Sequence, residues 1–232
     1  MFGKAVAERA IMEWTMFGRD EGDSDHTHGG EAKEKVEPFS SRIADYWLSI
    51  SEKDYDRLVD AFAPKNGKLD GTVRALPWSA AFVSYCMQIA GAGNEFPYSS
   101  GHATWIVQAI KNKRAKKLNA PLVGYRPGEV EIKLGDIVGA PRGADKNLKY
   151  DDAVGKGWFL SHTDIVTEID KTSGHFYTLG GNVGQSVSRK TYKVDKDGTV
   201  SAGSGLMVHI QNNITGTTAI SAAAAAKPPK VG

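Results

Sequence analysis

The sequence predicts an α+β fold, because stretches with helical periodicity fill its first half and short β-type runs fill its second half. Helices followed by strands, rather than the two in alternation, are typical of α+β domains. The chain has 232 residues, of which 41% are hydrophobic and 24% charged. These values are typical of a globular protein that can bury its own core. We predict a single domain over residues 1–212 and a disordered tail or linker over residues 213–232.

The first half contains four helix candidates. Apolar residues recur at helical spacing in residues 4–17 and 39–63, and each segment ends beside a glycine or a proline. Residues 77–93 form the most apolar candidate, which begins with a proline and ends in glycines, as helices commonly do. A further helix is expected over residues 103–117. Because the third candidate is apolar on most sides, we expect it inside the protein.

The remaining elements are a polar connection and a set of strands. Residues 19–38 are rich in glycine and acidic residues, which indicates a flexible loop. From Val130 onward, short runs with β-type character are separated by glycine or charged turns. The runs are DIVGAP, TDIVTEI, HFYTLGG, SVSRKTY and GLMVHI. We expect them to form an antiparallel sheet on which the N-terminal helices pack.

Charge and hydropathy argue against two classes of protein. The net charge is only +2, and we interpret the basic run in residues 111–117 as the solvated end of a helix, with contact to an anionic polymer as the alternative. A nucleic-acid-binding protein more often carries a broad basic face. No window approaches the ~18 apolar residues of a membrane span, and the N-terminus lacks the apolar stretch of a signal peptide. We therefore expect neither a nucleic-acid partner nor a membrane span.

Ser79 is the first candidate site residue. It follows Pro77 and Trp78 at the start of the apolar helix. Unpaired backbone N–H groups and the helix dipole favour a developing negative charge at that place. The position therefore suits a nucleophile, although serines at helix starts more often cap the helix.

His162 is the second candidate. Alternation along its strand would put His162, Asp164 and Val166 on one face, and an ordinary histidine pKa allows it to act as a general base at neutral pH. Asn182 could hold the imidazole in its working tautomer, although an asparagine flanked by glycines is more often a turn residue. A half-buried histidine bonded to backbone is the alternative for His162. Each of these observations is weak alone.

Four motifs occur in an informative order. W-S-A-A-F-V occupies residues 78–83, G-D-I-V residues 135–138, H-T-D-I-V residues 162–166 and G-G-N residues 180–182. Together they resemble the papain-like cell-wall amidases and endopeptidases of the NlpC and CHAP type, and within them an uncharacterised bacterial domain family related to those enzymes. The corresponding motifs there are W-C-[AS]-x-F-V, G-D-[IL]-V, a catalytic-histidine strand and an E-G-N turn. The resemblance covers about residues 75–195, and it extends upstream through EWTMFGR and RIADYW.

The resemblance implies a papain-like α+β fold and the hydrolysis of a peptide or amide bond in peptidoglycan. Ser79 would then attack the carbonyl, His162 would take and return the proton, and Asn182 would orient His162. Backbone N–H groups at the helix start would receive the oxyanion. No cofactor is implied.

The chain departs from the family pattern where Ser79 aligns with the nucleophilic cysteine. Three outcomes are open: a serine hydrolase on a cysteine-hydrolase scaffold, a substrate-binding relic, or recruitment of Cys86. Cys86 lies seven residues further on, roughly 10 Å along the helix axis, and is expected to point into the core. We favour the active serine enzyme, because nucleophile, base and orienter recur as one constellation on unrelated folds. The alternative is a catalytically inactive module that binds cell wall or protein.

Further residues are expected to line the substrate cleft. Trp78, Tyr98 and His102 are assigned to substrate binding, with helix-start packing as the alternative for His102. Asp164, roughly 6.6 Å from His162 on the same strand face, is assigned to the site as well and is the second candidate orienter. Residues 23–31 contain Asp, His and Glu side chains that offer metal donors, but their spacing matches no strong zinc template, so we expect no metal.

The expected partners and place of action follow from the resemblance alone. The substrate would be peptidoglycan, in the periplasm or cell wall of a target bacterium. Without a signal peptide, delivery would fall to a phage particle, a lysis system or a type VI secretion apparatus. An antibacterial effector of this kind would also bind a secretion-apparatus protein and an immunity protein.

Overall fold

The computed structural model describes residues 2–50 and 77–216. Its helices are α1 (Phe2–Met16), α2 (Phe39–Leu48), α3 (Ser79–Ile89), α4 (Ala103–Arg114) and α5 (Tyr150–Lys156). Its strands are β1 (Asp20–Glu21), β2 (Thr27–His28), β3 (Glu31–Ala32), β4 (Leu122–Tyr125), β5 (Ile137–Pro141), β6 (Ser161–Asp170), β7 (His175–Val183), β8 (Ser186–Lys193) and β9 (Val208–Asn212). Helices α1 to α4 precede strands β4 to β9, and of the described helices only α5 lies among those strands, between β5 and β6, so the predicted α+β class agrees with the structure.

The main sheet is mixed and mostly antiparallel. Within the described residues it has the strand order β1-β8-β7-β6-β5-β9-β4. Only β1 runs parallel to its neighbour, β8, and the other pairs are antiparallel. Strands β2 and β3 form a separate antiparallel pair. β6, which carries His162, therefore lies in the middle of the sheet.

Alternation along the strands divides the core into two parts. One face of the sheet packs on the helices through side chains such as Ile137, Ile165 and Leu179. The opposite face forms a smaller cluster that includes Val138 and Val166. No helix in the described ranges is long and apolar enough to cross a membrane.

Three segments differ from the sequence prediction. The helix predicted over 39–63 ends at Leu48, and its part from residue 51 lies outside the described residues. Residues 19–38 contain three short strands and the nearly buried Lys33, whose ammonium group binds Asp20 and the Phe17 carbonyl. A buried ammonium needs such partners, so the segment is tied to the domain rather than loosely connected.

The chain also remains attached beyond residue 212, where we predicted the tail to begin. Ile214 is 4% exposed, and the Thr215 hydroxyl donates a hydrogen bond to Glu95. The rest of the predicted tail, from residue 217, lies outside the described residues.

Candidate active site

Ser79 is the first residue of α3, and its hydroxyl does not cap the helix. The N-cap residue is Trp78, and the helix hydrogen bonds begin with the Phe82 N–H donating to the Trp78 carbonyl. The N–H groups of residues 79–81 therefore have no partner within the helix. The Ser79 side chain is turned inward instead and is 1% exposed.

The hydroxyl of Ser79 is hydrogen-bonded to His102. Its Oγ lies 2.7 Å from His102 Nε2, and His102 Nδ1 lies 2.8 Å from Thr163 Oγ1. Trp105 also donates to Thr163 Oγ1, over 3.2 Å. A neutral imidazole has one proton, so one of its nitrogens donates and the other accepts. When the Nδ1–H donates to Thr163, Nε2 is free to accept the Ser79 proton.

Three elements hold this hydrogen-bonded chain together. Ser79 begins α3, His102 is the N-cap residue of α4, and Thr163 lies on β6. Gly139 pairs with Thr163 across β5 and β6, and a Cβ there would lie 2.6 Å from the Thr163 methyl group. The lack of a side chain at residue 139 leaves room for Thr163 to face the helices.

A second group of polar side chains, His162, Asp164 and Lys190, lies next to the hydrogen-bonded chain of Ser79, His102 and Thr163. His162 Nε2 is 2.7 Å from Asp164 Oδ1, and Lys190 Nζ is 3.4 Å from Asp164 Oδ2. The predicted sharing of one strand face by His162 and Asp164 is thus confirmed. Because the ionised carboxylate can only accept, the His162 proton belongs on Nε2 and the lone pair on Nδ1. That Nδ1 atom is buried and has no hydrogen-bond partner among the described residues.

The two histidines are in contact. Their ring centroids are 5.2 Å apart, at an interplanar angle of 56°. Ser79 and His102 are almost fully buried, whereas 13% of the His162 side chain is exposed. The cluster therefore reaches the solvent through His162.

The Gly180-Gly181 pair makes room for the cluster. A Cβ on Gly180 would overlap the carboxylate of Asp164 and lie 2.9 Å from His162 Nε2. A Cβ on Gly181 would lie 2.5 Å from the Cβ of Phe82 on α3. The first glycine thus admits the His162–Asp164 pair, and the second allows β7 to approach the helix that begins at Ser79.

Burial keeps both histidines neutral. It lowers the pKa of His102 well below the ordinary value of 6.5, and the nearby His162 and Arg142 lower it further. Burial also lowers the pKa of His162, against the opposing effect of Asp164. Burial alone would raise the pKa of Asp164, but His162 and Lys190 outweigh it and hold this pKa well below its ordinary value. A neutral imidazole is the form that accepts a proton.

The contacts of two predicted catalytic residues, Ser79 and Asn182, differ from those expected. Ser79 is hydrogen-bonded to His102, which we had assigned to substrate binding, rather than to His162. Asn182 has a φ of 54° where the β7–β8 register shifts, as a turn residue does, and no hydrogen bond in the described part of the chain joins it to His162. Asp164, our second candidate orienter, accepts a hydrogen bond from His162 Nε2 instead.

Trp78 also differs from its prediction as a cleft residue. It is 2% exposed, stacks against Phe17, and its indole N–H donates to Glu34. Its side chain therefore serves the core. Tyr98 is half-buried against Phe96, and this burial raises its pKa to about 12. Cys86 is fully buried, where helix geometry predicts it.

The sequence interpretation missed Thr163, Arg142 and Lys190. Alternation did put Thr163 on the face opposite His162, but which helix it would meet could not be read from the pattern. Arg142 follows β5, and Lys190 lies on β8, two strands away from His162. Only strand pairing brings these cations to the cluster.

The histidines of the 23–31 segment serve local contacts. His26 Nδ1 lies 3.8 Å from an Asp20 carboxylate oxygen, and the His28 ring packs edge-on against Phe39. No group of three or more His, Cys, Asp or Glu side chains within residues 2–50 and 77–216 is arranged to hold a metal ion.

Comparison with known proteins identifies a family. A family model described as "Uncharacterized protein conserved in bacteria (DUF2272)" matches residues 14–215. No match was found among curated proteins or among solved structures. The matched range contains Ser79, His102, His162 and Asp164, together with all strands of the main sheet. The chain therefore belongs to the DUF2272 family of bacterial proteins.

Proposed function

We propose that this protein is a hydrolase that cleaves an amide bond in the peptide part of peptidoglycan, with Ser79 as its nucleophile. The observation that carries this proposal is the 2.7 Å hydrogen bond between Ser79 Oγ and His102 Nε2 at the start of a buried helix. A serine is activated when a base lies within hydrogen-bond reach of its hydroxyl and a third group holds that base in place. Here Thr163 would be the third group.

The proposed reaction has two steps. Ser79 Oγ attacks the carbonyl carbon, its proton passes to His102 Nε2, and the protonated ring then gives that proton to the leaving amine. The unpaired N–H groups at the start of α3 stabilise the oxyanion. In the second step water attacks the acyl-serine ester, and His162 Nδ1, which has no hydrogen-bond partner among the described residues, takes a proton from that water. The ester C–O bond then breaks, a proton is returned from His162 to the departing Ser79 Oγ, and the product leaves as the free acid. Asp164 holds His162 in the tautomer that this step needs.

Two observations support peptidoglycan as the substrate. The family is described as conserved in bacteria, and the four motifs resemble papain-like cell-wall hydrolases in sequence and in order. A helix that carries the nucleophile and packs on a mostly antiparallel sheet agrees with that resemblance. The papain-like fold itself, action in the periplasm or cell wall, and a phage, lysis or type VI delivery route with an immunity protein belong to the same proposal.

The proposal is tested by Ser79→Ala. Purified protein is incubated with peptidoglycan sacculi, and the released muropeptides are separated by chromatography. We expect the release rate to fall about a thousandfold or more, as when the nucleophile of a catalytic group of this kind is removed.

Ser84→Ala is the matched control. Ser84 lies on the same helix, is fully buried and donates to the Ser99 carbonyl. Loss of the Ser84 hydroxyl should lower the free energy of unfolding by about 1 kcal/mol and leave the release rate unchanged. Undiminished release by Ser79→Ala would remove this serine from the mechanism.

The burial of the cluster favours a second candidate, a non-catalytic binding module. Ser79 is 1% exposed and His102 is 4% exposed, so the hydroxyl has little direct access to a polymer. In that case the hydrogen bonds to Ser79 would only position α3 against α4. Saturable binding to sacculi without any new amine or carboxyl termini would support this second function.

A further inference from the structure

Arg142 lies on the same face of the sheet as His162. Ala140 is opposite His162 in the β5–β6 ladder, and Arg142 comes two residues later. Its N–H donates to the Leu160 carbonyl over 2.8 Å, which continues the ladder. Side chains two residues apart on a strand share a face. The guanidinium therefore lies near the exposed edge of His162.

The Arg142 side chain is half-buried, which lowers its pKa against the opposing charge of Asp164, but no carboxylate of the described residues lies within ion-pair distance of its guanidinium. Its guanidinium forms neither an ion pair nor a side-chain hydrogen bond with any residue in the described part of the chain. This distinguishes Arg142 from the other partly buried arginines. Arg9 and Arg42, for example, both bind Glu13. An arginine remains charged in proteins, and a partly desolvated charge without a partner is costly.

The charges around the cluster do not balance. Arg142 and Lys190 contribute two positive charges, Asp164 contributes one negative charge, and burial holds both histidines neutral. One positive charge is left over. A carboxylate carries one negative charge and fits the planar fork of a guanidinium, whereas a phosphate monoester would carry nearly two.

Exposed apolar side chains border the same place. Trp158 is 65% exposed, and its Nε1 lies 3.5 Å from the Cβ position of Gly101, the residue before His102. Leu160, opposite Arg142, is 39% exposed. An aromatic and an aliphatic side chain beside a free cation suit a peptide better than a sugar or an inorganic ion.

We propose that Arg142 binds a free carboxylate of the substrate next to the bond to be cleaved, with Trp158 contacting the peptide. This inference rests on the proposed function and deepens it. The substrate class becomes peptidoglycan stem peptides whose scissile bond is flanked by an unmodified carboxylate, and Arg142 becomes a residue that determines specificity. Peptides in which that carboxylate is converted to a carboxamide are the disfavoured class.

The test compares two synthetic stem tripeptides, L-Ala-γ-D-Glu-L-Lys with free carboxylates and the same peptide with carboxamides in their place. Binding is measured by calorimetry on the Ser79→Ala background, so that no turnover occurs. We expect the carboxylate peptide to bind about tenfold more tightly, and Arg142→Gln to abolish that preference. Arg142→Lys, which keeps the charge but loses the fork, should retain part of it.

Lys117→Gln is the matched control. It removes the same charge from an exposed side chain beyond the far end of α4, roughly 18 Å from the His102 end at 1.5 Å per residue. It should leave the preference intact. Equal affinity for the two peptides with Arg142 in place, or no binding of the carboxylate peptide at millimolar concentration, would overturn the inference. This comparison needs no Arg142 variant, so it holds even if Arg142→Gln does not fold.

Measuring binding and hydrolysis separately distinguishes a failure of this inference from a failure of the proposed function. A carboxylate preference that depends on Arg142, without any release from sacculi, would retain the inference and reject the hydrolase. Release that depends on Ser79 but is equally fast on carboxylate and carboxamide substrates would retain the hydrolase and reject the inference.

Discussion

Two buried polar clusters contact helix α3, and they differ in how completely their charges are paired. The first is built around Glu13 on α1, which is 1% exposed. It accepts hydrogen bonds from Arg9, Arg42 and Tyr46, and Arg9 also donates to Tyr85 on α3. The second is the cluster of Ser79, His102, His162, Asp164, Lys190 and the neighbouring Arg142.

In the Glu13 cluster every charge has an opposite partner. Arg9 and Arg42 are balanced by Glu13 and by Asp45, which lies 2.9 Å from Arg42. The pKa of Glu13 is lowered, because hydrogen bonds from Arg42 and Tyr46 outweigh the opposing effect of burial. This cluster joins α1, α2 and α3, and its balanced charges indicate a structural role.

The Ser79 cluster differs in its charges, because Arg142 forms no ion pair with any of the described residues. Among those residues, both clusters contain a buried nitrogen without a hydrogen-bond partner, His162 Nδ1 in this cluster and Arg9 Nε in the Glu13 cluster. Buried polar groups in native proteins are nearly always satisfied, and exceptions call for an explanation. A bound substrate would supply the partners missing in the Ser79 cluster. The comparison thus separates a cluster that serves folding from one that suits recognition and chemistry.

The largest expected effect comes from replacing the histidines one at a time. His102→Ala should lower muropeptide release about a thousandfold, because no base remains for Ser79. His162→Ala should instead allow attack but slow the second step, so that an acyl group accumulates on Ser79. Intact-protein mass spectrometry after brief exposure to a stem peptide distinguishes the two. An adduct in His102→Ala and none in His162→Ala would reverse these roles.

Next in size is the effect of Glu13→Ala on stability. The change leaves Arg9, Arg42 and Tyr46 without their shared acceptor, so the free energy of unfolding should fall by about 3 kcal/mol. Urea titration followed by circular dichroism measures it. Activity per folded molecule should not change.

The control for Glu13→Ala is Glu8→Ala on the same helix. Glu8 is exposed and pairs with Lys4 over 3.5 Å, so its loss should cost under about 0.5 kcal/mol. Similar losses for the two variants would mean that the Glu13 cluster contributes no more than a surface ion pair.

The smallest expected effect is in the pH dependence. Because the pKa values of His102 and His162 are lowered, hydrolysis should persist below pH 6.5, where an ordinary histidine is already protonated. The lowered pKa values also make the folded protein less stable as the pH falls. The unfolded chain binds more protons between the folded and unfolded pKa values, so the contribution of the neutral histidines is complete above pH 6.5 and declines as the pH falls.

His102→Gln provides the matched comparison for this pH effect. Muropeptide release and urea unfolding are measured as functions of pH for the intact protein and for the variant. The free energy of unfolding of the variant should decrease less as the pH falls below 6.5. An acid limb of activity centred above pH 6.5 in the intact protein would contradict the neutral, buried state of both rings.

Local patterns were sufficient for the helix that begins at Ser79 and for the strand that carries His162 and Asp164. An apolar run after Pro77 and a period of two along residues 162–166 depend only on neighbours in sequence. Likewise, the expectation that Cys86 points into the core follows from helix geometry alone. These predictions are confirmed.

The partners of those side chains could not be predicted in the same way. His102 and Thr163 are 61 residues apart, and their contact depends on how α4 approaches β6. Trp78 was expected in a cleft, but its side chain contacts Phe17 and Glu34, which come 61 and 44 residues earlier in the chain. Asn182 was the expected orienter, but its positive φ belongs to an irregular turn whose geometry no motif specified.

The sequence by itself determined the α+β order, the position of Ser79 at a helix start and the shared face of His162 and Asp164, because each depends on backbone periodicity over a few residues. Only the tertiary structure decided that Ser79 meets His102, that Asp164 rather than Asn182 is hydrogen-bonded to His162, and that Arg142 forms no ion pair with the described residues. Those outcomes depend on packing between distant elements, where a displacement of one residue along a strand changes which side chains meet.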